Sequence, residues 1–223
     1  MSHPTLTDVH REALYTILKN NPLQEVVGYF SIEPETTNIL EIIEVARGDD
    51  EKVAYREFQE YPFHTHPLST LKMSEPPSGE DLLQSLSWGY PDFNEKKRGC
   101  IWECVVASEG LWWYRPTVGL KQFYFDLQET DEEKQNYIAK QVVRYMNAVG
   151  TLFKNRLIDL REFLSRSHMI DFAWMQELLM KNPVFLTYLN KYFQLASMKK
   201  LQDNKYPEVR YIPGFEIIFE TAA

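Results

Sequence analysis

With 223 residues, of which 44% are hydrophobic and 14% aromatic, the chain can bury one substantial core and is not a disordered sequence. Its formal net charge of −8 excludes a general nucleic-acid binder, which needs a basic face. Two cysteines, Cys100 and Cys104, exclude a disulfide scaffold, and no apolar run approaches the roughly 18 residues that mark a membrane span.

Met1-Ser2-His3-Pro4 has no signal-peptide core, so a reduced, intracellular and cytoplasmic protein is expected, without a membrane partner. The i, i+4 spacing of Cys100 and Cys104 puts them on one face of either a strand or a helix, as buried thiols rather than ligands. In chain order, a first helix is expected from a cap at Thr5 or Thr7 to Asn20, with Val9, Leu14, Ile17 and Leu18 as its apolar stripe. Pro22 stops it. Glu25 to Ile32 is β-branched and aromatic, a buried strand, and Ile39 to Val45 returns beside it as a hairpin. A third strand is expected from Val53 to Phe63, leading into His64 and His66.

After a proline-containing loop, Ser78 caps a helix that reaches about Trp88. Cys100 to Ala107 and Leu111 to Arg115 form a hairpin, and Gln122 to Leu127 reads as a further strand. Thr130-Asp131-Glu132-Glu133 opens a long amphipathic helix with Ile138, Val142, Tyr145, Val149, Leu152 and Phe153 on one side, and Gly150 as a kink point. Further helices are expected over Ile170 to Met180 and from Pro183 to Lys200, then a last strand from Phe215 to Glu220. Trp112 to Tyr114, and Tyr188, Tyr192 and Phe193, read as core or helix packing, and His168 as a surface or helix-end residue.

The chemistry lies in Phe63-His64-Thr65-His66-Pro67 and Pro77-Ser78-Gly79-Glu80-Asp81. Side chains alternate along a strand, so His64 and His66 share a face and can bind one metal ion together. Asp81, at the start of the next helix, can complete a His-His-carboxylate set with one position left for water, as in catalytic zinc sites. Each piece has an ordinary reading as well: paired strand histidines with hydrogen-bonded rings, a capped helix start, and a solvated glutamate at Glu25.

Taken together, Glu25-Val26-Val27-Gly28, His64-Thr65-His66-Pro67 and Ser78-Gly79-Glu80-Asp81 resemble the JAMM (MPN+) zinc metalloproteases over about residues 5 to 127. The interval Pro67 to Pro77 is eleven residues, four more than that family's usual spacing, and is read as an insertion beside the metal. The resemblance implies an α/β fold of JAMM/MPN type, a cytidine-deaminase-like mixed sheet flanked by helices. Residues 1–127 would form the metalloprotease core and 128–223 a helical extension, ending in a short strand and packed on the core. It implies one zinc ion on His64, His66 and Asp81, Glu25 as general base and Ser78 as oxyanion donor. Glu33 and Glu41 are rivals to Glu25, but neither precedes a Val-Val-Gly run. The implied activity is hydrolysis of isopeptide or peptide bonds in a ubiquitin or ubiquitin-like conjugate. Two alternatives stay open: a non-catalytic scaffold that binds a protein partner through its C-terminal helices, and a zinc peptidase with another substrate.

Overall fold

The structure, a computed structural model, describes residues 2–33, 35–48, 59–67, 75–88 and 101–222. Helix α1, Asp8–Asn20, is capped by Thr7, whose side chain accepts from the His10 backbone N–H. A helix this short is marginal alone in water. Leu14 and Leu18 hold it by burial, worth about 1.5–3 kcal/mol each. Val9 is 73% exposed, so the stripe is narrower than expected and leaves its first member in solvent.

Strands β1 (Val26–Ile32) and β2 (Ile39–Arg47) form the expected antiparallel hairpin. β3 is short, Pro62–Thr65; the predicted lead from Val53 lies outside the described residues as far as residue 58. β4 (Glu103–Ala107) and β5 (Gly110–Pro116) make the second hairpin, and β8 (Phe215–Thr221) is the expected last strand. Together they form a mixed six-stranded sheet in the order β2-β1-β3-β4-β5-β8, with β3 and β4 parallel and β1 antiparallel to β3. Phe30, Phe63, Cys104, Val106, Leu111 and Trp113 form one core with Leu14 and Leu18 of α1.

Gly28 stands opposite Phe63 in the β1–β3 ladder, and the Phe63 ring lies across it. A Cβ there would meet the Ile43 carbonyl oxygen at 2.2 Å and the ring at 2.6 Å. Gly28→Ala is therefore expected to lower the urea midpoint by about 2–3 kcal/mol of stability at unchanged slope, from overpacking against backbone.

The region after β5 is helical. α3, Val118–Thr130, occupies the stretch where a strand over Gln122 to Leu127 was expected. Phe123-Tyr124-Phe125 have strand propensity, but Thr117 caps a helix, accepting from Leu120 N–H at 3.2 Å. Leu120 and Leu127, seven residues apart, are its buried positions, so packing decides the period. α3 ends at Thr130, and Asp131, not Thr130, caps α4, Glu132–Lys154, through Lys134 N–H at 2.8 Å. α4 buries Ile138, Val142, Tyr145, Val149 and Leu152 and runs as one helix through Gly150.

α5 (Leu160–His168), not anticipated, ends at the exposed His168 and leads through β6 (Met169–Asp171) into α6 (Phe172–Lys181). The single helix expected from Pro183 to Lys200 is two, α7 (Pro183–Tyr192) and α8 (Leu195–Gln202). β7, Tyr211–Pro213, pairs with β6 in a separate two-stranded sheet. Trp112, Trp113 and Tyr114 are fully buried as expected, whereas Tyr188 and Tyr192 stack on each other with 37% and 47% exposure.

The chain is thus α/β, with a mixed sheet, helices and a helical C-terminal region. By contacts it divides into two compact units. One comprises Met1–Pro76, Trp88–Arg115 and Ile218–Ala223, and contains α1 and most of the large sheet. The other comprises Pro77–Ser87 and Pro116–Ile217, and contains nearly all of α2 (Gly79–Trp88) together with α3 to α8. No helix among the described residues is long and apolar enough to cross a membrane.

Cys104 is buried, while Cys100 lies outside the described residues. Burial pushes the Cys104 thiol well above its ordinary value, and burial likewise raises the phenols of Tyr145, Tyr15 and Tyr124. The folded state therefore keeps protons that the unfolded chain releases. This stabilisation is complete below the unfolded values, about 8.5 for a thiol and 10 for a phenol, and is lost as pH rises beyond them. The urea midpoint should fall from about pH 9 upward. A midpoint that is flat or rises between pH 8 and 11 would contradict this.

Candidate metal centre

The chain leaves β3 at His66 and enters α2 at Ser78, so the strand's carboxyl end and the helix N-terminus belong to one crossover that ends in the parallel strand β4. His64 lies opposite Val27 of β1 and Val105 of β4. His66 follows the strand, with its N–H on the Val106 carbonyl at 3.0 Å. The two imidazoles present their Nε2 atoms to each other at 3.3 Å. Two nitrogens bound to one tetrahedral zinc at about 2.05 Å each would stand about 3.3 Å apart, so the spacing fits that ion.

The His66 tautomer also fits. Its Nδ1 lies 3.2 Å from the backbone carbonyl oxygen of Glu75, an acceptor only, so the proton belongs on Nδ1 and the Nε2 lone pair is left for a ligand bond. Glu75 is held in turn, because Glu109 in the β4–β5 turn accepts its N–H at 2.5 Å through Oε1. Neither Glu75 nor Glu109 lies within the His-x-His or Ser-x-x-Asp motif. Of the insertion in which Glu75 lies, residues 68–74 are outside the described part.

Asp81 stands at the third position of α2. Its Oδ2 accepts the Ser78 N–H at 2.7 Å, and Ser78 Oγ accepts the Asp81 N–H at 3.1 Å, a reciprocal cap. The capping and ligand readings are therefore compatible: the cap orients the carboxylate, and the positive end of the helix dipole favours its charge. Ser78 Oγ accepts from the backbone, which leaves its hydroxyl hydrogen available to another acceptor. His64, His66 and Asp81, each half-buried, are a group that could hold a metal ion. Two imidazoles and one carboxylate are a donor set that suits zinc.

Glu25 immediately precedes β1 and is half-buried. The strand pairing continues through it: Gly48 N–H donates to the Glu25 carbonyl at 2.8 Å, and Val26 N–H donates to Thr65 Oγ1 at 2.9 Å. Thr65, between the two histidines, is fully buried and ties this corner of β1 to β3. Glu25 lies two residues before Val27, the residue of β1 that pairs with His64. Its rivals are elsewhere: Glu33 accepts from Thr36 and Asn38 in the β1–β2 turn, and Glu41 is exposed on β2.

No protein-family model, curated protein or solved structure matches the chain.

Proposed function

We propose that the chain is a zinc-dependent hydrolase of the JAMM (MPN+) type that cleaves isopeptide or peptide bonds, with a ubiquitin or ubiquitin-like conjugate as substrate. The observation that carries the proposal is the group of half-buried His64, His66 and Asp81, with His66 Nδ1 3.2 Å from the Glu75 backbone carbonyl oxygen. The mixed sheet with β3 and β4 parallel is compatible with the cytidine-deaminase-like architecture of that family.

His64 and His66 through nitrogen and Asp81 through a carboxylate oxygen would hold the ion. Zinc so bound would lower the pKa of a water toward about 7 and polarise a carbonyl. Glu25 would take the proton of the attacking water and pass it to the leaving amine. The Ser78 hydroxyl would donate to the oxygen on which negative charge develops.

The test compares turnover of a ubiquitin chain, a ubiquitin-like conjugate and a simple peptide amide, with and without a zinc chelator. Chelator-sensitive cleavage of a conjugate is expected. Cleavage of only the short amide would point to a zinc peptidase for another substrate. Cleavage of none of them by protein with one zinc per chain would turn the reading to a binding module. That second reading has its own support in α7, where Val184, Tyr188 and Tyr192, four residues apart, stay in solvent.

A further inference from the structure

Asn147 is on α4, far from the motif in sequence. In the structure its amide is divided between two partners on the first turn of α2. Asn147 Oδ1 accepts the Gly79 N–H at 2.7 Å, and Asn147 Nδ2 donates to both Glu80 carboxylate oxygens, at 3.0 and 3.2 Å. Gly79 and Glu80 are the two residues between Ser78 and Asp81. The two helices also meet backbone to backbone: a Cβ on Gly79 would lie 2.4 Å from the Val143 carbonyl oxygen and 2.8 Å from its Cα, so only glycine permits the approach. The first N–H groups of a helix have no partner within it. Here one is satisfied by a neighbouring helix, and the helix start is locked in rotation and in height.

We infer that Asn147 is a positioning residue for the metal centre: by clamping Gly79 and Glu80 it sets where α2 presents the Asp81 carboxylate and the Ser78 hydroxyl. The inference rests on the reading of Asp81 as a ligand. A ligand carried on the first turn of a helix moves with that turn, and a displacement of a few tenths of an ångström is enough to weaken a bond of about 2.0–2.2 Å. Groups that orient metal ligands in this way are worth about 10–100-fold in metal affinity. An amide is the side chain this role needs, because one end must accept from an N–H while the other donates to a carboxylate.

The experiment is titration of the metal-free full chain with Co²⁺, read from the visible absorption of the tetrahedral ion, together with thermal unfolding of each metal-free variant. Asp81→Ala should abolish the tetrahedral spectrum. Asn147→Ala should lower the affinity about 10-fold or more and alter the band shape, while the metal-free protein stays folded. Asn147→Asp keeps the acceptor for Gly79 but sets two carboxylates against each other, and should also weaken binding. Adding Glu80→Gln to it exchanges amide and carboxylate between the two positions and should restore affinity, a rescue that general loss of packing would not show. If Asn147→Ala does not fold, the Asn147→Asp single variant and the exchanged pair decide the question alone. Wild-type affinity and spectrum in folded Asn147→Ala, or in Asn147→Asp, would overturn the inference while an Asp81→Ala loss left the metal site standing. Unchanged Co²⁺ binding by Asp81→Ala would instead remove the ligand assignment, and the inference with it.

Discussion

Glu25→Gln is expected to lower conjugate turnover by about 10²–10⁴-fold while zinc content stays at one per chain, because a general base contributes roughly that much. Glutamine fills the same volume and can hydrogen-bond to a water, but it cannot take its proton. The backbone at this position is held independently of the carboxylate, by Gly48 on one side and by the Val26–Thr65 hydrogen bond on the other. The strand should therefore keep its register in the variant, and unfolding by urea should be close to wild type. Turnover within twofold of wild type would show that the proton goes to another group, and Glu25 would be left as a structural residue beside β1.

His66→Ala should purify with essentially no zinc, against about one ion per chain for the wild type, measured by mass spectrometry on protein prepared without added metal. On the proposed ligand set two protein ligands would remain in the variant, and the lost one is the imidazole whose Nδ1 faces the Glu75 carbonyl. A site with two protein ligands lacks the coordination that zinc centres show. His66 lies just beyond β3 with its side chain 12% exposed, and its N–H bond to Val106 is made by the backbone, so alanine preserves that part of the ladder. The metal-free variant should thus remain folded by circular dichroism. If both proteins are folded and neither takes up zinc, the two histidines are an ordinary hydrogen-bonded pair and the hydrolase proposal falls.

These two predictions rest on features of very different visibility in the sequence. His64 and His66 are two residues apart, and a strand's alternation alone puts them on one face. Ser78 and Asp81 are three apart, and the reciprocal cap between them is a local consequence of helix geometry. The capped start of α1, the two hairpins and the long amphipathic α4 were legible for the same reason: their periods and caps are written within a few residues.

The errors have an equally definite cause. A strand is expected over Gln122 to Leu127, but burial of Leu120 and Leu127 makes the segment part of a helix. Propensity is a weak prior that such packing overrides. Val9, expected in the apolar stripe of α1, and the Tyr188–Tyr192 pair, expected in core or helix packing, are exposed, since a periodic face is buried only where another surface covers it.

By itself, the sequence determined the local parts of the candidate centre: which strand carries the imidazoles, which helix start carries the carboxylate, and why serine precedes it by three. Only the tertiary structure decided what holds those parts. The carbonyl of Glu75 faces His66 Nδ1, Glu109 accepts the Glu75 N–H, Val27 pairs with His64, and Asn147 clamps the first turn of α2. Each of these joins residues whose separation along the chain has no period or motif to reveal it. Hydrogen bonds of that kind exist only after chain segments have been brought together by burial of apolar surface, and burial is a property of the whole fold.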